Sequence, residues 1–223
     1  MDSQADKKRL RATLVGGTAV LLWGLLALFT TLTGKIPPFQ LAALSFGIAT
    51  VFVVLKWTLR RENIGAHLKQ PIGAWMLGTI GLFGYHFFYF MALKNAPPVE
   101  AGLIAYMWPL LIVVGSALLP GERLRWWHVA GAVAGLLGAV LLITGGKGLA
   151  GFKADYTLGY VMAVLCALTW STYSILNRRF GNVPTDTVGG FCATTAILAT
   201  ICHFAFETTV WPSGSLEWLG VIG

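Results

Sequence analysis

The stretch AGLIAYMWPLLIVVGSALL, residues 101–119, runs for nineteen residues without a charge and carries a tryptophan and a proline near its middle. At 1.5 Å per residue, a helix over it nearly crosses the ~30 Å hydrocarbon layer of a bilayer. Pro109 has no N–H, so the carbonyl of Ala105 loses its helical donor and the helix is flawed at membrane depth. Lipid tolerates such a break only where protein or water covers it. Tyr106, Met107 and Trp108 sit beside it, at a depth where polar groups are scarce. The stretch reads as one wall of a transport site.

The rest of the chain has the same character. Hydrophobic residues make up 56% and charged residues 11%, against ~45–50% and ~25% in soluble domains. This composition specifies an all-α integral membrane protein in contact with the lipid bilayer. Uncharged runs predict spans at residues 12–34, 39–55, 72–93, 101–119, 127–143, 158–176 and 188–206, and residues 219–223 look like the start of an eighth. The first run is too long for the ~7–15-residue core of a signal peptide. A net charge of +7 would suggest nucleic acid in a soluble protein, but here the basic residues sit in short segments between apolar runs. No nucleic-acid partner is implied. With the N-terminus inside, twelve of the sixteen lysines and arginines fall on the inner side, and only Lys35, Lys94, Lys147 and Lys153 fall outside. That bias predicts a cytoplasmic N-terminus in a multi-pass protein.

An internal repeat is present. LLWG at 21–24 and GKIP at 34–37 recur as LTWS at 168–171 and GNVP at 181–184, at a constant offset of 147 residues. Trp23 thereby maps to Trp170 and Pro37 to Pro184. The copies begin an odd number of spans apart, so the second crosses the membrane in the opposite sense, as in the inverted-topology repeats of secondary transporters. The expected architecture is two inverted five-helix repeats, ten helices in a full protein. Residues 1–147 form the first repeat, and residues 148–223 form part of the second, with helices six, seven and the start of eight. The chain is expected to be incomplete.

No span contains Asp, Glu, Lys or Arg, so a carboxylate relay for protons or sodium is not visible. Cys166, Cys192 and Cys202 form no CxxC pair and read as small buried thiols, with no metal or cofactor implied. The chain has no HExxH, no GxSxG and no pair of intramembrane aspartates, which argues against an enzyme, and span seven has no lysine for a retinal Schiff base. Of nine tryptophans, Trp57, Trp75, Trp126, Trp127, Trp211 and Trp218 lie near span ends, where an interfacial belt is expected. Trp23, Trp108 and Trp170 lie mid-span, which a belt does not explain. Tyr173 is one turn from Trp170, and His86 and Tyr89 share a face at i,i+3. His86 reads equally as a neutral histidine bonded to a neighbouring helix or as a substrate contact. The candidate substrate-binding set is Trp23, His86, Tyr89, Tyr106, Trp108, Trp170 and Tyr173, with Pro109 as the helix break. Glycines at 78, 81 and 84, and at 131, 135 and 138, suit close helix packing.

These residues resemble the EamA-like branch of the drug/metabolite transporter superfamily. Residues 95–124, NAPPVEAGLIAYMWPLLIVVGSALLPGERL, resemble the fourth helix of its YddG-type bacterial aromatic amino-acid exporters, with Tyr-Met-Trp-Pro and Pro-Gly-Glu in place. The resemblance implies an inner-membrane exporter of aromatic and other neutral amino acids, working by alternating access around a central cavity. It carries His86, Tyr89, Tyr106, Trp108 and Trp170 into that cavity, whereas Trp23 and Tyr173 rest on depth and spacing alone. The alternative substrate class is drugs, organic cations or other small metabolites.

Overall fold

The computed structural model describes residues 10, 13–18, 21, 25, 29, 32–117, 125–143, 154–180 and 183–222. Most of the first expected span, Trp23 and the Pro-Gly-Glu segment lie outside the described residues. Gly34, at φ +62°, turns the chain in the left-handed region that glycine adopts freely. The helices that follow are α1 (Pro38–Leu59), the short α2 (Ile64–Leu68), α3 (Ile72–Asn95), α4 (Pro98–Ser116), α5 (Trp126–Ile143), α6 (Thr157–Asn177), α7 (Val188–Phe206) and α8 (Ser215–Ile222). There is no strand among the described residues. Among the described residues, five segments, Pro38–Leu59, Ile72–Asn95, Pro98–Ser116, Ala154–Asn177 and Thr185–Phe206, are long and apolar enough to cross a membrane. The protein is therefore an all-helical, multi-pass membrane protein.

Two helices are interrupted at mid-length. α3 is α-helical over Ile72–Thr79, widens into a single π turn at Ile80–Gly84, and resumes as α-helix over Tyr85–Asn95. α4 consists of Pro98–Ala105 and Trp108–Ser116. At the junction Tyr106 N–H still reaches Gly102 O at 2.8 Å, but Met107 N–H bonds Ile104 O at 3.1 Å, a tighter three-residue step. The break thus falls at Tyr106–Met107, ahead of Pro109, because the proline ring collides with the carbonyl four residues before it. Pro109 itself lies in the first turn of the second half, where a missing N–H costs nothing. Prolines also start α1 and α4, so α4 begins at Pro98, earlier than hydropathy alone suggested.

The most extensive packing joins α1 to α7 and the second half of α3 to α6. Small side chains make this possible. Ala92 of α3, Ala96 of the link to α4, Ala101 of α4 and Ala163 of α6 form a buried cluster, and a Cβ on Gly159 would lie 2.4 Å from that of Ala96. Without a strong hydrophobic drive between helices in lipid, such close approach is what holds them. In α3, the rings of Phe191 and Tyr173 cover Gly78 and Gly81, leaving no room for a methyl group. Gly131, Gly135 and Gly138 of α5 meet no described neighbour within 4 Å, so the close packing expected of that trio is not seen among the described residues.

One aromatic assignment is overturned. Trp57, read as an interfacial belt residue, is 2% exposed and stacks on His67 of α2 at 4.8 Å and 4° between planes. Hydropathy does not reveal that α2 folds back over the end of α1. Trp126 and Trp211 are exposed, as a belt position requires.

Candidate substrate cavity

The two interrupted helices and α6 line a half-open cavity of about 380 Å³, bounded by Leu82, Tyr85, His86 and Tyr89 of α3, Ala105, Tyr106 and Trp108 of α4, and Trp170 of α6. Its size is at the lower end of the ~300–1,000 Å³ range of small-molecule sites. Tyr106 and Trp108 reach it because the break between the halves of α4 turns the backbone there. Leu82 and Tyr85 flank the end of the π turn in α3, and π turns recur at functional sites because one extra residue per turn re-aims the side chains beyond them.

The described lining is aromatic and hydroxylic, with no charged side chain among these residues. Tyr85 is at its centre: its ring lies parallel to Tyr89 at 6.0 Å and 3°, 5.0 Å from Trp170, and edge-on to His86 at 5.2 Å. His86 Nδ1 donates to the Leu82 carbonyl at 2.7 Å. A carbonyl only accepts, so in the neutral ring Nε2 is left as an acceptor. The bond runs within α3, not to a neighbouring helix as one sequence reading had it. Phe46 of α1 meets the imidazole edge-on at 5.1 Å, on a contact outside the cavity lining.

Five of the seven candidate residues, His86, Tyr89, Tyr106, Trp108 and Trp170, come together on this wall. Tyr173 does not line it. Its ring packs 5.5 Å from Trp170 and over Gly81, wedging the π turn of α3 against α6. Trp23 lies outside the described residues. Sequence reading missed Tyr85, although its i,i+4 spacing to Tyr89 was available as a signal. Ala105 and Leu82 carry no such signal.

Comparison with known proteins matches residues 10–144, more than half of the chain, to EamA-like transporters. The chain belongs to the EamA-like transporter family. This EamA-like protein is 54% identical over 214 residues to the aromatic amino acid exporter YddG of Ancylobacter novellus, an alignment covering 96% of this chain and 74% of the exporter. It is 24% identical over 181 residues to YddG of Salmonella typhimurium, covering 76% of this chain and 60% of that one. It is also 28% identical over 155 residues to the uncharacterized transporter YyaM of Bacillus subtilis, covering 66% and 48% of the two chains. A crystal structure with 54% sequence identity superimposes with a TM-score of 0.85, covering 95% of this chain and 72% of the solved one. Family membership and fold together make the EamA-like chain a membrane transporter.

Proposed function

We propose that this transporter exports aromatic and other neutral amino acids across the bacterial inner membrane by alternating access, through a cavity that includes the wall described above. The observation that carries the reading is the lining itself: Tyr85, Tyr89, Tyr106, Trp108 and Trp170 supply ring faces, hydroxyls and indole N–H groups, with no charge. Ring faces take an aromatic or aliphatic side chain and attract an ammonium group. Hydroxyls, indole N–H groups and the His86 acceptor bind the polar ends of a zwitterion. An ion pathway would need carboxylates. The name of the 54%-identical relative is in keeping with this substrate class.

The inverted repeat supports the mechanism. An offset of 147 carries the ends of Pro38–Leu59 onto those of the span Thr185–Phe206, which supports a reading in which α1 and α7 are equivalents in two repeats of opposite sense. Residues 1–147 then form the first repeat and 148–223 part of the second, in a ten-helix protein whose N-terminus is cytoplasmic.

The test is uptake of a labelled neutral amino acid into proteoliposomes holding the complete transporter, in competition with phenylalanine, tryptophan, leucine, methionine and glutamate. Neutral amino acids, the aromatic ones first, should compete and glutamate should not. Competition by organic cations but by no amino acid would sink this reading and favour a drug exporter.

A further inference from the structure

Around the pair formed by α1 and α7, polar groups are concentrated at the two ends. At the Phe39 end, the Glu207 carboxylate accepts from the backbone N–H of Phe39 at 2.9 Å and of Gln40 at 3.1 Å. It thereby fills the cap of a helix that has no side-chain cap of its own. His203 braces that carboxylate, with Nδ1 2.9 Å from Glu207 Oε2 and Nε2 2.8 Å from the Thr209 hydroxyl. The Gln40 amide meets the Val210 backbone in both directions, donating to its carbonyl and accepting from its N–H at 2.9 Å each. Gln40 and His203 are buried, so breaking these bonds would strand polar groups away from water.

At the Leu59 end, Lys56 pairs with Asp186 at 2.6 Å. Thr187, completely buried, donates to the His67 carbonyl at 3.3 Å, and His67 in turn bonds Glu62 at 2.9 Å. Between the ends, Gly189 lies so close to Val53 that an added Cβ would come within 2.4 Å of it. Gln40 and Lys56 are sixteen residues apart, so the two sets of ties sit roughly 24 Å from one another along the helix.

We propose that α1 and α7 form one rigid spine that stays together throughout transport, while the walls that move are α3, α4 and α6. Alternating access parts the helices on one side of a cavity while they stay closed on the other. A helix pair fastened at both ends in one conformation parts at neither. Among the described residues, the lining comes from α3, α4 and α6. α3 and α4 also carry a non-α turn at cavity level, where a helix bends at low cost. The spine rests on the transport reading above.

Two measurements on the complete transporter test it, with Cys166, Cys192 and Cys202 replaced by alanine. In the first, cysteines at Lys56 and Asp186, and in a second variant at Gln40 and Val210, are bridged by a reducible thiol-specific linker in proteoliposomes. Uptake after bridging should remain within about twofold of the same sample after reduction. A loss of about tenfold or more on bridging, reversed by reduction, overturns the spine. No uptake by the complete transporter without these substitutions sinks the transport reading, and the spine with it. In the second, spin labels at the exposed positions Val51 and Ile197 report the α1–α7 distance, and labels at Val51 and Val114 report α1–α4. Saturating phenylalanine should shift only the second distribution; a shift between Val51 and Ile197 refutes the proposal.

Discussion

Trp170 touches Tyr85 at 5.0 Å on its cavity side and Tyr173 at 5.5 Å behind, so its indole is held as well as presented. Replacing Trp108 or Trp170 with alanine removes a ring face. Such contacts are worth ~0.5–1.5 kcal/mol beyond area burial, so the apparent affinity for phenylalanine should fall by roughly two- to tenfold. Leucine at the same positions should restore aliphatic substrates better than aromatic ones, as competition assays would reveal. An unchanged substrate ranking in both alanine variants would remove these two tryptophans from the site. Trp57 should behave in another way. Buried under α2, it should cost about 3–5 kcal/mol of stability on conversion to alanine, with the substrate ranking preserved in whatever protein folds. Trp127→Ala, at an exposed position, should stay within ~0.5 kcal/mol. Thermal unfolding in detergent separates the two. From sequence, depth was readable for Trp108 and Trp170, because a polar ring in mid-span has few reasons to be there. Trp57 was not readable, since its cover comes from a five-residue helix with no hydropathy signal of its own.

At the scale of the element, α3 and α4 meet the cavity through departures from the α-helix. The break in α4 was legible because proline writes its effect into the sequence; only its place moved, from Pro109 to Tyr106–Met107. No residue type specifies a π turn, and the one at Ile80–Gly84 was not legible. Packing meets it there: Tyr173 occupies the space a side chain at Gly81 would need, with ring atoms 2.3 and 2.5 Å from an added Cβ. Gly81→Ala should therefore push the Tyr173 ring away and disturb Trp170 behind the cavity. Uptake should drop, and the double variant with Tyr173→Ala should recover part of the loss. Two independent, additive losses would show that Gly81 and Tyr173 do not act through one contact.

For the whole molecule, the number and order of most spans followed from hydropathy. The 147-residue offset read in the sequence does not convey how differently the two ends of the α1–α7 pair are fastened: shifted by 147, Lys56 falls on His203 and Phe39 on Asp186, so an ion pair at one end takes the place of a cap at the other. The charge bias makes a further prediction at this scale. Cysteines introduced at Arg61 and Arg179 should be shielded from an impermeant thiol reagent in intact cells and react once the membrane is opened. Labelling from outside would reverse the orientation.

The cap on α1 has a consequence for how the chain is made. Phe39 and Gln40 leave the ribosome 168 and 167 residues before the carboxylate that satisfies them. At ~5–20 residues per second, their N–H groups wait roughly ten to thirty seconds for Glu207 to be synthesised. During that interval the start of α1 must stay at the wet rim of the bilayer or be sheltered by the insertion machinery. The pairing of α1 with α7 is then a late event in biogenesis, after the helices between them have entered the membrane.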